Sequence, residues 1–339
     1  MITGPAVDFG IAALAASLGE ATDLSATHDN GDLAALTKLG YRTYRRAAPE
    51  TQATHLAADA VRLAMRRADL QPGDIDYLIV ASSALPEYLK WDLSTAVAHR
   101  AGLTDVPSLL LTQTCASAVL AFQQAAGVFA TRGDTETVLL VAVNRVSEHH
   151  IDRMAGNVES DGAVAVVLRR GHPSMRWLAT EQVTDASWSD FFRLEYGGSA
   201  EPVPPPGRTN RDVDPQLRVF EHFRGRPEAF RSFVRAVDTT VASAVDGAFR
   251  RAGVDRHRLS RLIYLNDNRP SVEIAAKAVG ISLEATNLDL IAEYGHCGCV
   301  DPLLGLSVYL DRGELRAGDV VAVAGLAQGM HWFCTLIEM

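Results

Sequence analysis

From residue 52 to 70 the stretch QATHLAADAVRLAMRRADL places apolar side chains at helical spacing and stops at the turn signal QPGD. IDYLIVASS follows as an apolar, β-rich run, the pattern of a strand covered on both faces. Beyond it the pattern predicts a helix over about 91 to 102, a buried strand at SLLLTQ, a helix over about 115 to 131 that opens at Cys115, the turn RGD and the strand TVLLVAV. This alternation predicts an α/β fold with a largely buried sheet.

The C-terminal portion repeats the order. FRSFVRAVDTTVASAVDGAFRRAGV reads as a long amphipathic helix, HRLSRLIYLND resembles GDIDYLIVASS, and PSVEIAAKAVGI answers the helix near 91. CGCVDPLLGLSVYLDRGELRAGDVVAVAG then lines up with CASAVLAFQQAAGVFATRGDTETVLLVAV without a gap, so that Cys297 falls opposite Cys115. A tandem duplication accounts for this, with halves at 1–172 and 173–339. Such halves pack about a pseudo-twofold axis, which would turn two equivalent helix N-termini, one preceded by Cys115 and one by His296, toward a common pocket. Between them YGGSAEPVPPPGRTNRDVD, rich in Pro and Gly, reads either as a surface excursion or as a loop bordering that pocket.

Composition narrows the class. The 339 residues are 47% hydrophobic and 22% charged, as in a water-soluble globular protein. A net charge of −9 argues against nucleic acid as the main partner. Arginine is nevertheless concentrated over residues 207 to 261, either as a solvated helix face or as a docking surface for an acidic partner. The start of the chain lacks a basic region ahead of its apolar stretch, and no run approaches the roughly 20 apolar residues of a membrane span, so a cytoplasmic protein with no membrane partner is expected. Four cysteines in a chain this large do not make a disulfide framework and are expected to be reduced.

Two stretches carry candidate chemistry. In LLLTQTCASAVLAF, Cys115 follows an apolar strand and opens a helix of small residues. A helix N-terminus favours a thiolate, which is expected to lower the pKa, and its free N–H groups can hold an oxyanion. The plainer reading is a small buried hydrophobe. In YGHCGCVDPLLGL, His296 stands just before a helix and Asp301 falls in its first turn, five residues on. Asp301 is either a carboxylate at a helix N-terminus or a partner for the imidazole, and the two roles are compatible. His296, Cys297 and Cys299 lack the paired Cys-x2-Cys spacing of a structural zinc site, so no metal is expected.

TQTCASAV, ESDGAVAVVLRR, YGHCGCVDPLLGL and the closing DVVAVAGLAQGMHWFCTLIE together resemble the thiolase-fold enzymes, in particular ketoacyl-ACP synthase III and its relatives, over nearly the whole chain. The resemblance implies a thiolase-like five-layer α/β/α/β/α fold from two tandem pseudo-repeats, a homodimer, and a nucleophilic role for Cys115. It also exposes a departure. The condensing members carry a His in a loop after a strand and an Asn at the later helix entrance, a pair that stabilises the enolate formed when a malonyl thioester loses CO2. Here the first position is Asn266, in YLNDNRP, and the second is His296.

The residues that remain form a Cys115, His296 and Asp301 set of nucleophile, general base and orienter. GHxGxxDxxxGL resembles a subgroup of synthase-III-like proteins from antibiotic and glycosylated polyketide pathways, some of which transfer an acyl group to an alcohol while others prime polyketide synthesis. The implied donor is an acyl-CoA or acyl-ACP thioester and the implied acceptor a small-molecule alcohol, with no tightly bound cofactor. A starter-unit synthase performing decarboxylative condensation and a non-catalytic partner subunit are the alternatives. Asn266 is a candidate donor to the thioester or acceptor, or, with Asp267, a turn former. Gly329 matches the family's glycine-rich turn near the oxyanion site, and Trp332 reads as core. Arg224, Arg226, Arg231 and Arg235 are candidates for guiding a carrier protein or the phosphates of CoA. One arginine more or less in the pocket would decide between a neutral and a carboxylated acyl group.

Overall fold

A computed structural model of the protein describes residues 7–26, 30–83, 87–146 and 157–339. The first half runs β1 (Phe9–Leu18), β2 (Glu20–Asp23), α1 (Asn30–Lys38), β3 (Thr43–Arg46), α2 (Ala53–Arg67), β4 (Tyr77–Ser82), α3 (Leu93–Ala101), β5 (Ser108–Leu111), α4 (Ser117–Thr131), β6 (Thr137–Asn144) and β7 (Gly162–Arg170). The second continues with β8 (Arg176–Thr184), α5 (Pro215–His222), α6 (Pro227–Ala252), β9 (Leu259–Ile263), α7 (Arg269–Val279), α8 (Ile291–Tyr294), α9 (Asp301–Asp311), β10 (Val320–Ala327) and β11 (His331–Glu338). The expected boundary at 172 lies in the connection between β7 and β8.

Hydrogen bonding links nine strands in the order β5-β4-β6-β7-β1-β8-β11-β10-β9. The order carries the duplication. In the first half β4 pairs parallel with β6, which pairs antiparallel with β7; in the second, β9 pairs parallel with β10, which pairs antiparallel with β11. The halves join where β1 meets β8, with Gly10 opposite Arg176. Parallel pairs arise because a helix covers each crossover, and β6 accordingly reads as eight buried residues in succession.

Helices α2 and α3 cover one outer face, packing on β1, β7, β4 and β5, while α6 lies on β8, β10 and β11 at the other. Between them, α4 touches β4 and β6 of the first half and β8 and β11 of the second, and α9 touches β1, β9 and β10. This is the five-layer thiolase-like α/β arrangement the sequence led us to expect. It explains why the first two turns of α4, SAVLAF, are wholly buried, since they pack on strands of both halves, while Gln123 and Gln124 beyond them are exposed. Trp332 is buried, with its indole N–H directed at the Val237 carbonyl of α6. The proline-rich segment 196–214 is largely exposed and irregular apart from a short 3-10 turn at Asn210–Asp212.

Candidate active site

Cys115 sits between the end of β5 and the start of α4, held there by a tight local turn. Thr114 takes φ +50°, a left-handed conformation that few non-glycine residues adopt. The Ser117 hydroxyl fastens the turn, accepting from the Gln113 N–H at 2.6 Å and lying 2.8 Å from the Thr114 carbonyl.

His296 is fixed from the opposite half. Its N–H donates to the Val158 carbonyl at 2.8 Å, and its carbonyl accepts from the Ser160 N–H at 2.7 Å, so the histidine backbone is clamped to the segment that enters β7. Gly295 before it has φ +63°, and a Cβ there would lie 2.6 Å from the Ser160 hydroxyl, which itself donates to the Tyr294 carbonyl. Only glycine fits that approach.

Asp301 is the first residue of α9 and is fully buried. One carboxylate oxygen lies 2.6 Å from His296 Nδ1 and accepts from the Asn266 N–H at 2.9 Å; the other accepts from the Cys297 N–H at 2.6 Å. With Nδ1–H donating to this carboxylate, the Nε2 lone pair faces Cys115, whose Sγ is 3.7 Å away. Thiol, imidazole and carboxylate therefore form a run of contacts drawn from both halves of the chain.

Burial pushes the Cys115 thiol up, and His296 beside it pulls it down. Burial wins, so the lowering expected from the helix N-terminus is not realised: the thiol is enclosed with little water to solvate a thiolate. For His296, burial disfavours the imidazolium, but Asp301 and then Glu159 outweigh it and raise the pKa well above the ordinary histidine value. A proton passed from Sγ to Nε2 thus lands on a ring whose charged form is stabilised.

A cavity of about 270 Å³ opens onto this pair. Its walls include Val237 and Val241 of α6, Tyr264 and Asp267 after β9, Ile274 of α7, and Leu326, Gln328 and Met330 around the β10–β11 turn. Asn266 does not line it. Its side-chain oxygen accepts from Asn287 Nδ2 at 2.8 Å, its own amide nitrogen is buried without a hydrogen-bond partner, and its contribution to the site is the backbone N–H that holds Asp301. Asp267, the neighbour on the pocket side, is bonded by Asn157 and by Ser271 at 2.8 Å. Gly329 takes φ +133° and precedes a cis peptide bond; its neighbours Gln328 and Met330 form the wall. Arg224, Arg226, Arg231 and Arg235 are exposed on and before α6, outside the cavity, and Arg231 pairs with Glu228.

Two features escaped the sequence reading. Glu159, inside the quoted ESDGAVAVVLRR, lines the cavity with its carboxylate 4.0 Å from His296 Nε2, and burial pushes its pKa up to about 7. A charged residue directly ahead of an apolar hairpin was the available signal. Asn287 is fully buried and braces the strand end before Asn266, donating to the Tyr264 carbonyl at 2.9 Å and accepting from its N–H at 2.7 Å. Cys297, the residue opposite Cys115 in the repeat, faces Gly162 in the core, as part of a chain in which all four cysteines are buried and free.

Comparison with known proteins agrees with this arrangement at the level of the fold and family. Residues 34–172 match the model of the thiolase N-terminal domain, and residues 249–339 that of the C-terminal part of 3-oxoacyl-[acyl-carrier-protein] synthase III. The chain belongs to the thiolase-fold, ketoacyl-ACP-synthase-III-like family. Its members are acyl-transferring enzymes. Among its relatives, the beta-ketoacyl-[acyl-carrier-protein] synthase III of Trichormus variabilis is 25% identical over 319 residues, 93% of this chain and 92% of the relative. That of Gloeobacter violaceus is 27% identical over 300 residues, 87% and 86% of the two chains. Among solved structures, the acyltransferase ChlB3 superposes with a TM-score of 0.83 at 22% identity, covering 98% of both chains. The synthase III of Aquifex aeolicus gives 0.78 at 20% identity, covering 98% of this chain and 100% of that one. None of the helices described is long and apolar enough to cross a membrane.

Proposed function

We propose that the protein is an acyltransferase of specialised metabolism, in antibiotic or polyketide biosynthesis, that moves an acyl group from a CoA or acyl-carrier-protein thioester through Cys115 to a hydroxyl of a small-molecule acceptor, forming an ester. The observation that carries this reading is the line Cys115 Sγ, His296 Nε2 and Nδ1, Asp301, with separations of 3.7 and 2.6 Å. In the first step the thiol proton passes to Nε2 and Sγ attacks the thioester carbonyl. The bond to the donor sulfur breaks, and that sulfur takes the proton from Nε2 as the free thiol leaves. In the second step the acceptor O–H gives its proton to Nε2, and its oxygen attacks the acyl-cysteine. The bond to Sγ breaks, and Sγ recovers the proton. Asp301 keeps Nδ1 protonated throughout. The N–H groups of Cys115 and Gly329 are the proposed oxyanion donors. The TM-score of 0.83 with the acyltransferase ChlB3 supports the fold this chemistry needs.

A second reading, a starter-unit synthase that condenses the acyl group with a malonyl carrier, draws on the names of the relatives at 25% and 27% identity. It is disfavoured by Asn266, whose side-chain oxygen is occupied by Asn287 and which does not reach the pocket. Intact-protein mass spectrometry after incubation with acetyl- or propionyl-CoA separates both from a non-catalytic subunit. We expect one acyl adduct that is absent in Cys115→Ala; no adduct on the unmodified protein would refute the acyl-cysteine. The family resemblance also leads us to propose a homodimer, checked by light scattering.

A further inference from the structure

We propose that Glu159 sets the charge of the acyl group that the site accepts: the pocket takes uncharged acyl thioesters and rejects those carrying a second carboxylate, such as malonyl. The proposal rests on the acyl-cysteine chemistry above. Among the described residues, three carboxylates line the cavity, Glu159, Asp238 and Asp267, and no lysine or arginine does. Among the described residues, His296 is the single lining group able to carry a positive charge, and two carboxylates already face it, Asp301 at Nδ1 and Glu159 at 4.0 Å from Nε2. Sγ and the Glu159 carboxylate converge on the same ring nitrogen, so an acyl group on Cys115 lies beside Glu159.

Of the described arginines nearby, Arg45 lies over the Tyr294 ring at 4.9 Å, and two others are committed to other partners. Arg46 donates to the Glu159 main-chain carbonyl at 3.3 Å and pairs with the buried Asp161 at 3.4 Å, and Arg145 pairs with Asp161 at 3.2 Å. Among the described residues, the groups near the Glu159 side chain are His296 and Asp267 of the cavity wall, the buried Asp301 behind the imidazole, Asn144 from β6, and, farther off, Tyr41 and the thiols of Cys115 and Cys297. A malonyl carboxylate brought to about 6 Å from Glu159, at an effective dielectric of about 20, meets a repulsion equivalent to about 100-fold in rate or affinity. A malonyl carboxylate is ionised across the neutral range, whereas Glu159 gains its charge on passing pH 7. The discrimination therefore grows as pH rises.

The test is the rate of Cys115 labelling by propionyl-CoA and by malonyl-CoA at pH 6 and pH 8, read by intact-protein mass. A malonyl adduct and the acetyl adduct left by its decarboxylation are counted together. The ratio of the two rates is the readout, whatever happens to each alone. In the unmodified protein it is expected to favour propionyl and to rise with pH. In Glu159→Gln the ratio is expected to fall about 10- to 100-fold and lose its pH dependence, whereas Glu159→Asp, which keeps the charge, retains the preference. Equal ratios in the unmodified protein and Glu159→Gln, with labelling by both thioesters, overturn the charge rule alone. No labelling by either thioester overturns the acyl-cysteine reading and the charge rule with it.

Discussion

Replacing Asp301 by Asn changes one atom and tests how far the imidazole depends on its partner. The carboxylate accepts three hydrogen bonds, from Nδ1 at 2.6 Å, Asn266 N–H at 2.9 Å and Cys297 N–H at 2.6 Å. An amide has one accepting end. If its oxygen serves Nδ1 and Asn266, its NH2 faces the Cys297 N–H, and two donors meet. If it is turned over, the NH2 faces Nδ1, which must then accept, and the ring proton moves to Nε2, where the base is needed. Losing a charge-assisted bond costs about 1.5–3 kcal/mol, and a wrong tautomer removes general-base catalysis worth about 10²–10⁴-fold. The two steps should suffer unequally. A thiol retains a small thiolate fraction near neutral pH without a base, whereas an alcohol has almost no alkoxide. We expect Cys115 acylation to slow by about tenfold and to recover as pH rises, and transfer to the acceptor to slow by about 10²–10⁴-fold. Rapid-quench mass spectrometry resolves the two rates on one sample. Transfer that stays within about threefold of the unmodified protein, against that 10²–10⁴-fold expectation, would remove Asp301 from the mechanism.

Further outcomes follow from the same contacts. Gly298 has φ +57°, and a Cβ there would lie 2.1 Å from the Ser83 hydroxyl; Gly298→Ala should cost about 1–3 kcal/mol, read from the urea midpoint, and should depress acyl transfer by moving the turn that joins His296 to Asp301. Asp161 is fully buried, and its oxygens accept from Val146 N–H at 2.7 Å and Ala47 N–H at 2.9 Å while pairing with Arg46 and Arg145; Asp161→Asn should destabilise by about 3 kcal/mol, and an unchanged midpoint would show those arginines to be satisfied without it. Charge reversal at the exposed Arg231 and Arg235 should raise KM for an acyl-carrier-protein donor and flatten its salt dependence, while leaving a carrier-free thioester unaffected. Kinetics with the carrier that do not respond to salt would discount this surface.

The sequence displayed the architecture because the duplication is written in long apolar runs. TVLLVAV and DVVAVAG align without a gap, and the strands they form, β6 and β10, hold matching places in the two halves of the sheet. The spacing of His296 and Asp301 was legible for a local reason: five residues span one 3-10 turn and the first position of α9. Side-chain direction at loop ends was not. Asn266 turns away from the pocket because Asn287, 21 residues on, captures its side-chain oxygen, and nothing in YLNDNRP announces that partner. Glu159 reaches His296 only because the chain entering β7 is clamped to the His296 backbone, a contact across 137 positions that no local pattern encodes. The Cys115 pKa went against expectation because a helix N-terminus can be read from sequence, whereas the desolvation that outweighs it depends on the whole enclosure.

The most direct test of the account is the fate of a single acyl group. Enzyme carrying a labelled propionyl group on Cys115 is freed of donor, divided, and mixed with a panel of sugar and polyketide alcohols or with a malonyl carrier, and the products and CO2 are followed by mass. Discharge into an ester with an alcohol, dependent on His296, is expected, with negligible CO2 from the malonyl carrier. Efficient release of CO2 with formation of a β-ketoacyl carrier would contradict it.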